Sequence, residues 1–157
     1  MEEAIRNLGL ACTYGWWRTI ALIVKRYGSE FFESEEWLRL GWRVGFREGE
    51  GLARLLPKKL KGLHRLLEAF KVSHWALLEH IELEGEGDGV RLKIYGCSAK
   101  NALVKWRAES YDCSRFTSKV LEGFVEGLGL KGRATCTYGP RPAPLSEVSC
   151  EWVIKLT

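Results

Sequence analysis

Apolar residues recur every three or four positions through the first half of the chain, which is the spacing of amphipathic helices. This pattern predicts a long helix over 2–27, which Gly28 ends as a C-cap. A second helix begins at Ser34, has two glutamates in its first turn and closes before Pro57. A short third helix is predicted over 60–70, where leucines and a phenylalanine share one side.

The period then changes from about 3.6 to 2, which indicates strands. Residues 76–95 alternate apolar and polar positions around the turn sequence GEGDG and predict a β-hairpin. A short helix over 100–107 and a strongly amphipathic one over 114–128 follow, and two strands, 133–138 and 148–156, complete the chain.

Short turns join antiparallel strands, and the apolar faces of the helices have to cover one face of the sheet. The predicted fold is therefore α+β, with N-terminal helices packed on an antiparallel sheet of two hairpins and an amphipathic helix between the hairpins. A chain of 157 residues fits one domain, 1–157, that buries a sizeable core.

Composition adds one point about the cysteines. The chain has no glutamine, one methionine and two asparagines, while charged residues make up 28%. Depletion of thermolabile residues together with many charges is typical of hyperthermophile proteins. Because intracellular proteins of hyperthermophiles retain disulfides, a disulfide stays open even in a cytosolic protein.

Two features of the N-terminal region bear on localisation. The longest apolar run there, 20–24, is far too short to span a membrane. The first residues are acidic and lack the basic-then-apolar order of a secretory signal. We therefore expect a cytoplasmic protein that does not span a membrane.

Seven tryptophans are a high number for a chain of this length. They fill a core, where each buries a large area, or they line an aromatic pocket between the first helices and the sheet. The pocket interpretation makes the following residues candidates for ligand binding: Trp16, Trp17, Trp42, Phe46 and Trp75.

Three glycines, Gly41, Gly45 and Gly49, lie four residues apart on the second helix. Each costs about 1 kcal/mol relative to alanine inside a helix, so a close approach should offset that cost. The spacing leaves one bare face, against which another helix or a ligand packs. Helix packing is the favoured interpretation.

A basic segment includes Lys58, Lys59, Lys61 and Arg65, and the net charge is +4. Such a patch binds the phosphate groups of a nucleic acid without recognising its base sequence. Acids are interspersed through the rest of the chain, and no nucleic-acid-binding motif is present. A solvated helix face is therefore favoured over nucleic-acid binding.

The five cysteines fall into different contexts. Cys12 lies on the apolar stripe of the first helix, which predicts a buried small hydrophobe. Cys113 directly precedes the helix at 114, where the helix dipole is expected to lower the pKa of a thiol. Cys136 and Cys150 flank a loop with three prolines, and antiparallel pairing is expected to bring their side chains together. Converging thiolates at 113, 136 and 150 suit zinc, while a disulfide and free packed thiols remain alternatives.

Several segments carry a family resemblance: YGWW near the N-terminus, HWALLEHIELE, GCSAKNALVKWRAESYDC, and the C-terminal region from YDCSRF through RATCTYG to SCEWVIKL. Together they resemble the 4-vinyl reductase-type small-molecule-binding domains and, distantly, L-2-amino-thiazoline-4-carboxylic acid hydrolase-like proteins. The resemblance implies an α/β fold with a hydrophobic cavity, often dimeric, used to bind or sense small molecules.

The resemblance also implies four metal-ligating positions, which fall here on Cys113, Cys136, Gly139 and Cys150. Glycine has no side chain to bind a metal, so the metal is lost, the fourth position is open, or another residue replaces it. Cys97 is the nearest spare thiol in the sequence.

Three functional hypotheses follow. The favoured one is a homodimeric protein that binds a small apolar or aromatic molecule in a tryptophan-rich cavity, with the cysteines holding zinc or forming a disulfide. The second is a hydrolase that uses a metal-activated water or a cysteine nucleophile. The third is nucleic-acid binding through the basic segment.

Overall fold

The first half of the chain is helical, as its apolar spacing predicts. The computed structural model describes residues 2–157, so that Met1 lies outside the described residues. The helical half consists of α1 (Glu2–Tyr27), a 3₁₀ turn (Glu30–Glu33), α2 (Glu35–Leu55), α3 (Gly62–Lys71) and α4 (His74–Leu78). Gly28, with φ of +80°, ends α1, and the hydroxyl oxygen of Ser34 caps α2 by accepting the N–H of Trp37 at 3.3 Å.

The second half supplies the sheet and two further helices: β1 (His80–Glu86), β2 (Gly89–Tyr95), α5 (Ser98–Lys105), α6 (Ser114–Gly127), β3 (Gly132–Tyr138) and β4 (Val148–Leu156). The four strands are antiparallel in the order β1-β2-β4-β3. The predicted α+β fold of N-terminal helices and an antiparallel sheet is confirmed, and so is the pairing of the two terminal strands.

One predicted element is wrong in its first residues. The sequence pattern extends the first hairpin back to residue 76, whereas Ala76–Leu78 belong to α4 and the strand begins at His80. Trp75 explains the difference, because it is buried against Phe70 and Phe124, with ring centroids 5.8 and 5.5 Å away. Packing of this large ring outweighs the local alternation of apolar and polar residues.

The two faces of the sheet differ in chemistry. Val90, Leu92 and Ile94 of β2 and Trp152 and Ile154 of β4 are buried on the inner face, under the helices. The outer face carries cross-strand ion pairs, in which Arg91 bridges Glu86 and Glu151 and Lys93 contacts Glu84. The inner face therefore forms one wall of the core, and the outer face is polar.

Helices α2 and α6 approach each other closely through glycines on both sides. A Cβ atom added at Gly45 would lie 1.8 Å from the carbonyl oxygen of Val120, and one at Gly49 would lie 2.2 Å from that of Phe124. The same holds for the glycines of the other helix: a Cβ atom at Gly123 of α6 would lie 2.0 Å from the carbonyl oxygen of Trp42. The glycine spacing on α2 thus serves helix packing, as favoured from the sequence.

Helix α1 has 26 residues, a length that would suffice to cross a bilayer. No helix within residues 2–157 combines the length and the apolar character that crossing a bilayer requires.

Candidate functional site

A cavity of about 410 Å³ lies between α1, α4, α6 and the inner face of the sheet. Its volume falls in the range of small-molecule sites. Helix α1 contributes Trp16 and Trp17, α6 contributes Phe116 and Val120, and β4 contributes Trp152. Most of the surface facing this space is therefore apolar and aromatic.

Three of the five predicted ligand-binding residues border this cavity, namely Trp16, Trp17 and Trp75. Trp42 and Phe46 lie elsewhere on α2, where their rings stack on each other with centroids 4.9 Å apart. The backbone of these two residues forms the surface against which the glycines of α6 pack. Trp42 and Phe46 thus belong to the α2–α6 packing.

An aromatic cluster behind the cavity holds Trp16 in place. Trp16 stacks on Trp37 with ring centroids 5.7 Å apart and planes 4° from parallel. The indole N–H of Trp37 donates to the hydroxyl oxygen of Tyr111 at 3.2 Å, and Phe116 packs on the same indole at 5.0 Å. Because Trp37 and Tyr111 are buried, this cluster fixes one wall of the cavity.

Glu79 brings a carboxyl group to the cavity wall. Both of its oxygens accept the backbone N–H of Ser98 at 3.2 Å, and one also accepts the Ser98 hydroxyl. Burial raises the pKa of the Glu79 carboxyl above its ordinary value, and the hydrogen bonds from Ser98 act in the opposite direction. The carboxyl group is therefore held in a fixed orientation in a poorly solvated place.

His74 stands beside Glu79 at the start of α4. Its backbone N–H donates to one oxygen of Glu48 at 2.7 Å, and its Nδ1 lies 2.6 Å from the other oxygen. The His74 ring packs on Trp75 with centroids 4.0 Å apart. Glu48 thus ties α2 to α4 and orients the imidazole at the edge of the cavity.

Three thiols border the cavity together: Cys97, Cys113 and Cys150. All three are buried, and burial raises the pKa of Cys97 to about 11 and that of Cys113 to about 12. The predicted lowering of the Cys113 pKa is therefore wrong. Cys113 does precede α6, but the loss of solvation outweighs the helix dipole.

Cys12 also differs from its prediction. It is exposed on α1 at the rim of the cavity, rather than buried on the apolar stripe. The buried part of α1 is nearer its C-terminal end, where Ile20, Ala21 and Val24 enter the core. The earlier turns of the helix therefore expose residues that the periodicity places inside.

Cys136 lies within electrostatic reach of the Cys150 thiol but does not border the same cavity. It lies opposite Trp152 across the β3–β4 pair, and a bulge follows it, while Cys150 lies opposite Ile94 of β2. Its thiol donates to the carbonyl oxygen of Tyr138 at 3.3 Å and borders a separate depression of about 300 Å³. Cys136 and Cys150 are thus on neighbouring strands, two residues out of register.

Position 139, the fourth metal position implied by the resemblance, has no room for a ligand. A Cβ atom at Gly139 would lie 2.1 Å from the carbonyl oxygen of Ser149, and φ is +72°. Within residues 2–157, no three His, Cys, Asp or Glu side chains are grouped so that they could hold a metal ion. The four-ligand set implied by the resemblance therefore does not fit at this position, and zinc on the remaining thiols stays a prediction.

The buried thiols predict a loss of stability at alkaline pH. The raised pKa of Cys113 keeps its thiol protonated in the folded protein, while the unfolded chain releases the proton above about pH 8.5. The free energy of unfolding is therefore unaffected by this thiol below that pH. It decreases as pH rises, by roughly 2 kcal/mol per buried thiol between pH 8 and 10.

Urea unfolding of Cys113→Ala should show a smaller decrease in the free energy of unfolding over this interval than wild type. The exposed-site control Cys12→Ala should match wild type, and equal slopes for all three proteins would contradict the assignment.

The basic segment divides into exposed and structural residues. Lys58, Lys59 and Lys61 are exposed in the loop between α2 and α3. Arg65 donates instead to the backbone carbonyl oxygens of Leu128 and Ala53, at 2.9 and 3.1 Å. Arg65 thus joins α3 to the ends of α2 and α6.

Sequence reasoning did not single out four residues of the cavity wall: Glu79, His74, Phe116 and Trp152. A strand assigned to 76–79 places Glu79 on a sheet, whereas α4 turns it beside α5. Cys97 was singled out only as a spare thiol. Its place in the sequence could have identified it as a residue of the site. Cys97 lies between the end of β2 and the start of α5, and a residue in such a connection lies at the edge of the sheet.

Comparisons with known proteins do not extend these observations. No protein-family model matches the chain, and the curated proteins give no match.

Proposed function

We propose that the protein binds or senses a small apolar or aromatic molecule in the cavity between α1, α6 and the sheet. The observation that carries this proposal is a partly open cavity of about 410 Å³ with tryptophans on several sides and few polar groups. Burial of a ligand here removes apolar area from water on both partners, which is the main favourable term in such binding. The resemblance to 4-vinyl reductase-type domains supports the same function.

Titration with the neutral fluorescent probe N-phenyl-1-naphthylamine tests this proposal. Trp16, Trp17, Trp75 and Trp152 border the cavity, so a bound probe should quench tryptophan emission by energy transfer. We expect saturable quenching with one probe per chain. Absence of saturable quenching in the folded protein would contradict the proposal.

The hydrolase alternative has less support. A nucleophilic cysteine needs a large thiolate fraction, and burial raises the pKa of Cys113 to about 12. Turnover of amides or thiazolines by the purified protein would favour this alternative over binding. A salt-dependent complex with mixed oligonucleotides would favour the nucleic-acid alternative.

We further propose that the thiols serve the site as structural support, through zinc, a disulfide or packing. In the described structure the five cysteines are free thiols, and Cys97, Cys113 and Cys150 lie along one side of the cavity. A cytoplasmic location is part of this proposal. Thiol titration in denaturant with and without reductant, together with metal analysis, distinguishes the three forms.

A homodimer is proposed from an uncovered stripe on α1. Ile5, Leu8 and Leu22 follow the spacing of a helix–helix seam and are exposed, Leu8 to 67%. A second copy of the chain would cover this stripe across a two-fold axis.

Leu8→Glu should therefore sediment as a monomer at micromolar concentration, whereas wild type and the control Leu55→Glu should sediment as dimers. Leu55 is 80% exposed and lies at the end of α2, outside the stripe. A monomeric wild type would count against this assembly.

A further inference from the structure

The cavity combines two features that recognise positive charge. Indoles of Trp16, Trp17, Trp75 and Trp152 border it from α1, α4 and β4. The face of an indole carries negative potential and attracts a cation more strongly than the other aromatic side chains do. Several indoles around one space form the kind of aromatic cage that holds alkylated ammonium groups.

The second feature is Glu79, the one acidic side chain on the described wall of the cavity. Among the described residues its hydrogen-bond partner is Ser98, through the N–H and the hydroxyl, and neither supplies a positive charge. No lysine or arginine of the described residues borders the cavity. The buried Lys100 ammonium donates elsewhere, to the carbonyl oxygen of Tyr111 at 2.8 Å.

His74 and the thiol of Cys97 are further titratable groups near Glu79, and His74 is already paired. Its Nδ1 lies 2.6 Å from a carboxylate oxygen of Glu48, so any charge on the imidazole is balanced by that carboxylate. Taken together, Glu48, His74 and Glu79 leave this end of the cavity without excess positive charge. A poorly solvated carboxylate that makes no ion pair is costly, and a ligand that brings a cation into direct contact removes that cost.

We infer that the ligand is a small organic cation, an alkylated ammonium with an apolar or aromatic substituent. The ammonium group lies against the indoles beside Glu79, and the apolar substituent fills the space towards Phe116 and Val120. This inference rests on the proposed function and specifies its ligand class. An inorganic cation does not fit, because it would leave the apolar part of the cavity empty.

The test compares benzyltrimethylammonium with its neutral carbon isostere, neopentylbenzene, by competition against N-phenyl-1-naphthylamine. The two probes have the same shape, and the charge of the first does not depend on pH. Wild type should bind the cation at least about tenfold more tightly, the ratio expected for desolvated cation–indole and carboxylate contacts. Equal affinities would overturn the inference and leave the proposed function standing, whereas a protein that binds neither probe nor naphthylamine would overturn both.

Glu79→Gln separates the carboxylate from the shape of the site. The amide oxygen still accepts from Ser98, so we expect the same fold, unchanged affinity for neopentylbenzene and about a tenfold loss for the cation. Glu82→Gln is the matched control, because Glu82 is an exposed acid of β1 that accepts from the Tyr95 hydroxyl outside the cavity. Equal losses for both probes in Glu79→Gln would show that Glu79 only shapes the wall, and would overturn its role. If the variant does not fold, the comparison of the two probes on wild type still decides the inference.

Discussion

Gly45→Ala should decrease the free energy of unfolding by about 3 kcal/mol. This is the largest effect that we expect from adding a single methyl group to the chain. The new Cβ atom would lie 1.8 Å from the carbonyl oxygen of Val120 and 2.8 Å from the backbone nitrogen of Phe124. These are backbone atoms inside a helix, so no side-chain rotation relieves the overlap. The two helices have to separate, and buried contacts along α2 and α6 are lost with them.

Gly51→Ala is the matched control for this substitution. Gly51 lies on the same helix, and a Cβ atom there would meet nothing within 4 Å. Alanine should therefore stabilise the protein by up to about 1 kcal/mol, through helix propensity alone. Urea unfolding of both variants measures the difference. A Gly45→Ala variant as stable as wild type would show that α2 and α6 do not pack through these glycines.

The same helix pair positions the cavity. Phe116, Thr117 and Val120 face it from α6, and Val44 faces it from α2. A separation of the helices would therefore move one wall of the site. We expect any folded fraction of Gly45→Ala to bind N-phenyl-1-naphthylamine more weakly than wild type.

Val44→Trp should abolish most of the probe binding while leaving the fold intact. Val44 borders the cavity but is 47% exposed, so a larger side chain has room to enter the site without displacing the core. The indole then occupies space that a ligand needs, and we expect a loss of affinity of about tenfold or more, equivalent to about 1.4 kcal/mol. Leu40→Trp, one turn earlier on α2 and 38% exposed, lies outside the cavity wall and should bind like wild type.

Equilibrium titration with N-phenyl-1-naphthylamine, followed through probe emission, measures both variants. Circular dichroism and the urea midpoint establish that each one folds. Equal affinities in wild type, Val44→Trp and Leu40→Trp would place the probe outside this cavity.

Much of the fold follows from local pattern. The helix α6 has apolar residues at helical spacing, and Phe116, Val120 and Phe124 are all buried as that spacing indicates. The first hairpin turns at Gly87 and Asp88, as its glycine-rich turn sequence predicts. In these elements, local propensity and tertiary packing favour the same structure.

Prediction from pattern fails where glycine or burial determines the packing. The face of α2 that packs on α6 is lined by Gly41, Gly45 and Gly49, and the neighbouring Leu40 and Val44 are exposed. A hydrophobicity pattern assigns the buried face to Leu40 and Val44, because it gives glycine no weight. Only a reading of the glycine spacing identifies the correct face.

The candidate site depends on contacts between distant parts of the chain. Glu79 and Ser98 are 19 residues apart, and their hydrogen bonds orient the carboxyl group at the cavity. The pKa of Cys113 depends on how deeply the thiol is buried, which the sequence position before α6 does not reveal. The sequence does predict that tryptophans form either a pocket or a core, because its helical half is rich in them. Only the three-dimensional structure shows which of these tryptophans border a cavity.

The most direct test of the account is a crystal structure of the protein with N-phenyl-1-naphthylamine bound. We predict density for one probe between α1 and β4, in contact with the rings of Trp75 and Trp152. Probe density on the exposed Ile5–Leu8 side of α1, with the cavity filled by side chains, would contradict the account.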